Sequence, residues 1–198
     1  MVRTAIATAA VLLAGVGAIF VATDGFRAFT SETARRLAVQ RAPVPVPAVT
    51  LRDARGERFE LPIGGRPMLV EFVYTSCPTL CVALGRSFAA IQDALEEAGA
   101  APALQLLSVS FDPARDDATA LSAYAAAHGA DPRRWRVALP EDEAALRTLL
   151  RAMGVVVIPD GEGGYVHNAA LHLIDARGRV AAILDPDEID RASAELRR

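Results

Sequence analysis

The chain opens with an unbroken apolar run, Ala5 to Ala22, then passes through a polar, proline-containing stretch into apolar segments that switch between strand-like and helix-like spacing. A run of this length is what a helix needs to cross a bilayer, whereas the apolar part of a cleaved signal peptide spans only about 7 to 15 residues. The run continues well past the small-residue site at Val16 to Ala18 and no basic cluster precedes it, so residues 1–23 read as an uncleaved membrane anchor. Residues 24–47 read as a juxtamembrane linker, where Pro43, Pro45 and Pro47 favour an extended, stiff spacer. Residues 48–198 read as the folded domain.

Within that domain, Val49 to Leu61 reads as a short hairpin with its turn at Ala54 to Glu57. The runs PMLVEFVY (Pro67 to Tyr74) and LQLLSVSF (Leu104 to Phe111) predict strands buried on both faces. Between them Leu84, Phe88, Ile91 and Leu95 recur three and four apart, which predicts a helix from Pro78 to Gly99. A second helix, capped by Asp116 or Asp117, runs to Gly129. WRVAL is a third strand and Glu141 to Met153 a third helix. AALHLID and RVAAIL flank the turn DARG as an antiparallel hairpin, and a short helix from Pro186 to Arg198 closes the chain. This is the element order of a thioredoxin-like α/β sandwich with a central mixed sheet, here preceded by one transmembrane helix.

Charge narrows the partners. Five of the 21 basic residues and two of the 24 acidic ones precede Ala48, leaving 16 and 22 and a formal charge of about −6 on the domain. That balance argues against nucleic acid as a partner. Lysine is absent and alanine abundant, the mark of a GC-rich, most simply bacterial, genome.

The chain's two cysteines, Cys77 and Cys81, sit in VYTSCPTLCVAL, directly after a predicted buried strand. Pro78 suits a first helical position because its missing N–H would be unsatisfied there. The helix start favours thiolate, and an i, i+4 spacing puts both sulfurs on one face, where they can meet each other or a shared ion. Thiol exchange, metal binding and simple burial as two small apolar side chains are the readings this leaves.

A soft metal needs more than two thiolates to be shielded, which turns attention to the histidines. His128, at the end of a predicted surface helix, reads as a partner of the helix dipole. His172, inside ALHLI, reads as a packing or solvent-facing strand residue. His167 lies where a glycine-rich loop (Gly161, Gly163, Gly164) enters the hairpin strand. In a thioredoxin-like fold that loop lies against the start of the cysteine helix and usually presents a cis proline; this chain has His167 there.

VEFVYTSCPTLC, SVSFDPARDDATALSAYAAAHG and YVHNAALHLIDARGRV, in this order behind a single anchor, resemble the Sco/SenC proteins. The resemblance spans about Val49 to Leu184. It implies copper held by Cys77, Cys81 and His167, as Cu(I) and also Cu(II), and service in copper insertion into cytochrome c oxidase. The implied partner is the copper-receiving subunit of that oxidase or another periplasmic copper protein, and the implied location is the bacterial inner membrane with the domain facing the periplasm. Ser110 through Asp116 corresponds to a family loop near the site, with capping by Asp116 as its structural explanation. Val82, Val166 and His172 depart from common family residues. The alternative is a thiol-disulfide oxidoreductase that reduces the cysteines of a copper-receiving partner, Cys77 attacking, Cys81 resolving and His167 acting as a neighbouring base. Peroxidase chemistry has little support, since Thr75 is only two residues before Cys77.

Overall fold

The computed structural model describes residues 2–77, 80–97 and 104–185. It divides into two compact units, Met1–Ala42 and Pro43–Arg198.

In the first unit, α1 (Val2–Ala22) has no buried residue and is long and apolar enough to cross a membrane. A second helix, α2 (Ser31–Arg41), starts at Thr30, whose hydroxyl accepts from the Thr33 N–H, and Glu32 pairs with Arg35 and Arg36 one turn on. The stretch read as a linker, 24–47, therefore holds a helix. Its local reasons are a threonine cap and the i, i+3 and i, i+4 ion pairs, which outweigh the stiffness that prolines impose only from Pro43 onward.

The second unit is built on an eight-stranded mixed sheet. Its strands in chain order are β1 (Val44–Pro45), β2 (Val49–Asp53), β3 (Arg58–Leu61), β4 (Met68–Val73), β5 (Gln105–Ser110) and β6 (Trp135–Pro140). β7 (Val157–Pro159) and β8 (Tyr165–His167) form a separate two-stranded ribbon, and β9 (Leu171–Ile174) and β10 (Arg179–Leu184) return to the main sheet. Spatial order is β1-β10-β9-β4-β5-β6-β2-β3, with β4, β5 and β6 parallel and the other neighbours antiparallel. Every residue of β4 and β5 is buried, as a central strand covered on both faces requires. β1 puts the end of the proline stretch on a sheet edge, where a residue without an N–H is tolerated.

Helices α3 (Leu80–Glu97) and α4 (Ala118–Ala127) cover one face of the sheet, and α5 (Glu143–Met153) the other. On the α3/α4 face Phe88 of α3 meets Trp135 of β6 at 5.4 Å between ring centroids, and Tyr124 of α4 reaches into β4. On the opposite face His172 of β9 pairs with Val70 and bonds the carbonyl of Met153, at the end of α5. α5 ends at Gly154 in the left-handed conformation that glycine adopts without penalty. The expected first-turn Pro78, the helix stop at Gly99 and the closing helix from Pro186 to Arg198 lie outside the described residues.

Candidate metal and redox site

Strand β4 delivers the chain to the site. After Val73 a tight turn, closed by the Cys77 N–H on the Tyr74 carbonyl (3.2 Å), brings Cys77 to the head of α3. Cys81 lies in the first turn of that helix, and its N–H donates to the Cys77 sulfur at 3.4 Å. Cys77 thus satisfies a helix N-terminal donor that would otherwise lack a partner. Neither sulfur is in a disulfide, and Cys77, Cys81 and Tyr74 lie near enough to influence one another's ionisation.

Both cysteines are deep, 7% and 1% exposed. Burial, then the nearby Cys77 and Glu71, push the Cys81 thiol far above the ordinary thiol range, against a smaller opposing pull from the Tyr74 N–H. This corrects the expectation that the helix start favours both thiolates. For Cys81 desolvation outweighs the dipole, so it keeps its proton until a cation or an attack on a disulfide displaces it.

His167 ends β8, 9% exposed, and neither ring nitrogen has a hydrogen-bond partner. Burial holds the imidazole neutral by pulling its pKa down. Its ring stands edge-on to Phe111 at 5.0 Å. Phe111 in turn packs against Tyr74 (5.4 Å) and Tyr165 (5.5 Å), and Tyr165 donates its N–H to the Tyr74 hydroxyl at 3.4 Å. An aromatic cluster therefore joins the cysteine turn to the histidine ribbon. Among the described residues no three His, Cys, Asp or Glu side chains are close enough together to hold a metal ion. The structure brings Cys77 and Cys81 together, and His167 is linked to their turn through Phe111 and Tyr74 without joining them in a metal-holding cluster.

The loop after β5 buttresses the turn. Asp116, buried, accepts from the Thr75 N–H (3.0 Å), the Thr75 hydroxyl (2.6 Å) and the Ser110 hydroxyl (2.6 Å). Capping of α4 falls instead to Asp117, which accepts from the Ala120 N–H. The reading of Asp116 as a helix cap is thus replaced by a tertiary role that ties the cysteine turn to the neighbouring loop. Arg115 pairs with Asp112, lies over the Tyr165 ring and bonds the Gly163 carbonyl, pinning the tip of the ribbon. At the ribbon's base Asn168 bonds the Val156 N–H and the Gly154 carbonyl.

The other histidines serve the core. His172 packs, as one of its two readings had it, edge-on against Phe72. His128 is the C-cap of α4, as its place at the helix end suggested. Its ring lies against Tyr124 at 4.5 Å and over Gly85, where a side-chain carbon would fall 2.6 Å from the imidazole, and burial lowers its pKa, which weakens its pairing with the helix dipole. Beside Cys77, between α3 and α4, an open cleft of ≈ 290 Å³ is lined by Val82, Ala120, Ala123 and His128 among others. Tyr74 and Asn168 escaped the sequence reading as site residues, and Phe111 and Asp116 entered it only within a loop near the site, because each acts through a partner distant in the chain.

Comparison with known proteins follows the same lines. Among solved structures the fold matches a SCO1/SenC family lipoprotein from Bacillus anthracis (TM-score 0.70, 21% identity, 80% of this chain and 99% of that one). It matches BsSco, described as a member of the Sco family of cytochrome c oxidase assembly proteins with a disulfide switch (0.70, 20%, 79% and 93%), and yeast Sco1 with copper bound (0.66, 18%, 78% and 90%). These likenesses establish a thioredoxin-like Sco fold. A search of curated proteins finds no match. Residues 46–197 match the family described as SCO1/SenC, and the chain belongs to that family.

Proposed function

We propose that this protein is a membrane-tethered copper chaperone for cytochrome c oxidase assembly, with copper as cargo on Cys77, Cys81 and His167. The observation that carries the reading is His167, buried with both ring nitrogens unpartnered and joined through Phe111 and Tyr74 to a buried dithiol. An unsatisfied buried polar atom costs about 1–3 kcal/mol, and a soft cation bridging imidazole and sulfur offsets it. Two thiolates and an imidazole suit Cu(I), and the thiolates accommodate Cu(II) as well; Zn(II) favours a fourth ligand. Copper bound to yeast Sco1 supports the cargo assignment.

Cys77 and Cys81 lose their protons as Cu(I) arrives, and closing the third bond requires the β7–β8 ribbon and the cysteine turn to approach one another. Residues 1–23 act as the anchor in the bacterial inner membrane, 24–47 as the juxtamembrane segment and 48–198 as the periplasmic carrier domain. Tethering keeps the carrier near an oxidase in the same bilayer, where high effective concentration substitutes for tight affinity.

A second reading, thiol-disulfide exchange with a copper-receiving partner, is favoured by the Cys81 N–H on the Cys77 sulfur, which holds the two cysteines together, and by the disulfide switch of BsSco. In it Cys77, the more exposed of the two residues, attacks, Cys81 resolves the mixed disulfide and His167 acts as a neighbouring base. Competitive Cu(I) titration of the reduced full-length chain in detergent, beside a disulfide-reduction assay, separates the two. The copper reading expects one Cu(I), weaker binding in His167→Ala and weaker still in Cys77→Ser or Cys81→Ser. Copper affinity unchanged in His167→Ala, with rapid disulfide reduction by the wild type, overturns it in favour of the oxidoreductase.

A further inference from the structure

Beyond the end of α1 the first unit stays folded. The helix stops at a turn in which Asp24, Gly25 and Phe26 all have positive φ, 52°, 72° and 63°. Glycine takes that conformation freely, but for Asp and above all for a bulky Phe it is strained, and such strain persists only where the surroundings over-determine it. Here the Thr23 hydroxyl donates to the Ile19 carbonyl (2.7 Å) and accepts from the Phe26 N–H (3.1 Å), and the Phe26 ring stands edge-on to Phe20 of α1 at 5.4 Å. Arg41, at the end of α2, then pairs with Asp24 at 2.5 Å across 17 residues of sequence. Fully extended, residues 24–41 would reach about 60 Å; the ion pair returns the chain to the end of α1 instead.

The closed loop exposes what a protein core would take in. Phe26 is 47% and Phe29 70% exposed, and Arg27 between them is exposed as well. What covers them is set by α1, whose 21 residues at 1.5 Å each span about 31 Å, close to the hydrocarbon thickness of a bilayer. When α1 crosses, the turn that follows it lies at the headgroups. Charge agrees: residues 23–41 hold four arginines against two acids, net +2, while the domain from Ala48 onward carries about −6. A surface of anionic lipid attracts the first and repels the second. Arg35 and Arg36 pair with Glu32 and Arg41 with Asp24, which leaves the exposed Arg27 as the arginine for a headgroup phosphate.

We propose that residues 23–41 form a clasp on the lipid headgroups of the bilayer that α1 enters: Phe26 and Phe29 seat where headgroups meet acyl chains, and Arg27 pairs with an anionic headgroup. This rests on α1 being the membrane anchor, as proposed above. Aromatic rings with a guanidinium between them match the layering of that boundary, apolar beneath and charged above. The α2 helix is mostly polar and ties up its own charges, so it lies on the aqueous side. Beside a low-dielectric layer the Arg41–Asp24 pair is screened less than in open water, so seating the rings favours the closed loop.

The test uses the full-length chain in vesicles of phosphatidylcholine with and without phosphatidylglycerol, part of the lipid brominated either near the headgroup or deep in the acyl chain. Phe29→Trp is read as the emission added to that of the native Trp135, which is buried in the domain core. Quenching by shallow bromines and protection from aqueous acrylamide are expected. Shallow quenching is expected to be about twofold stronger with phosphatidylglycerol, a gain lost in Arg27→Gln. Phe26→Trp carries the same readout if Phe29→Trp does not fold. Emission quenched by acrylamide as freely as that of a tryptophan in water, or shallow quenching indifferent to phosphatidylglycerol, overturns the proposal. Leu12→Trp, in the middle of α1, reports on the anchor separately: no quenching by deep bromines refutes the span, while the Phe29→Trp curves still decide whether residues 23–41 hold the lipid surface.

Discussion

Asp116 holds Thr75 twice, accepting its backbone N–H at 3.0 Å and its hydroxyl at 2.6 Å across 41 residues of sequence. Thr75 lies in the turn that carries Cys77, so the buried carboxylate sets the path by which β4 hands the chain to α3. Replacing it by alanine leaves the Thr75 N–H and the Ser110 hydroxyl without their acceptor. Asp116→Ala is expected to lose about 2–3 kcal/mol in urea unfolding, and Asp117→Ala, which removes only a cap, about 1 kcal/mol.

Gly85 is required by the ring above it. An alanine there places a carbon 2.6 Å from the His128 imidazole, inside van der Waals contact. Gly85→Ala is expected to destabilise by about 1–3 kcal/mol, and His128→Ala in the same chain to recover part of that loss because the clash is with this ring. Denaturant unfolding of the two single variants and the double variant measures the coupling.

Glu71 gives stability a slope with pH. An acid whose folded pKa is raised, here to about 8 from an ordinary 4.5, binds more protons folded than unfolded between those values. Stability then falls as pH rises from ~5 to ~8 and levels off above. Unfolding at pH 5.5 and 8.5 is expected to differ by about 3 kcal/mol more in the wild type than in Glu71→Gln.

The sequence makes some of this legible and hides the rest for identifiable reasons. β4 and β5 are uninterrupted apolar runs, the pattern a strand buried on both faces must have, and their places are found within a residue or two. The cysteine pair is found because it follows such a strand. β7 and β8 are three residues each, too short to carry a period, so the ribbon that presents His167 reads only as a glycine-rich loop. Asp116 and Asp117 are adjacent acids before a helix, either suited to capping; only the fold shows that Thr75 occupies one of them. The depression of thiol acidity at Cys81 is equally hidden, since the helix start is local but the burial and the Glu71 charge come from packing.

The central claim is that Cys77, Cys81 and His167 together hold copper. X-ray absorption at the copper edge, on the Cu(I)-loaded full-length chain, tests it most directly because it counts ligand atoms. Two sulfurs and one nitrogen are expected in the first shell of the wild type, the nitrogen lost in His167→Ala and one sulfur lost in Cys81→Ser. A first shell identical in the wild type and His167→Ala contradicts the account.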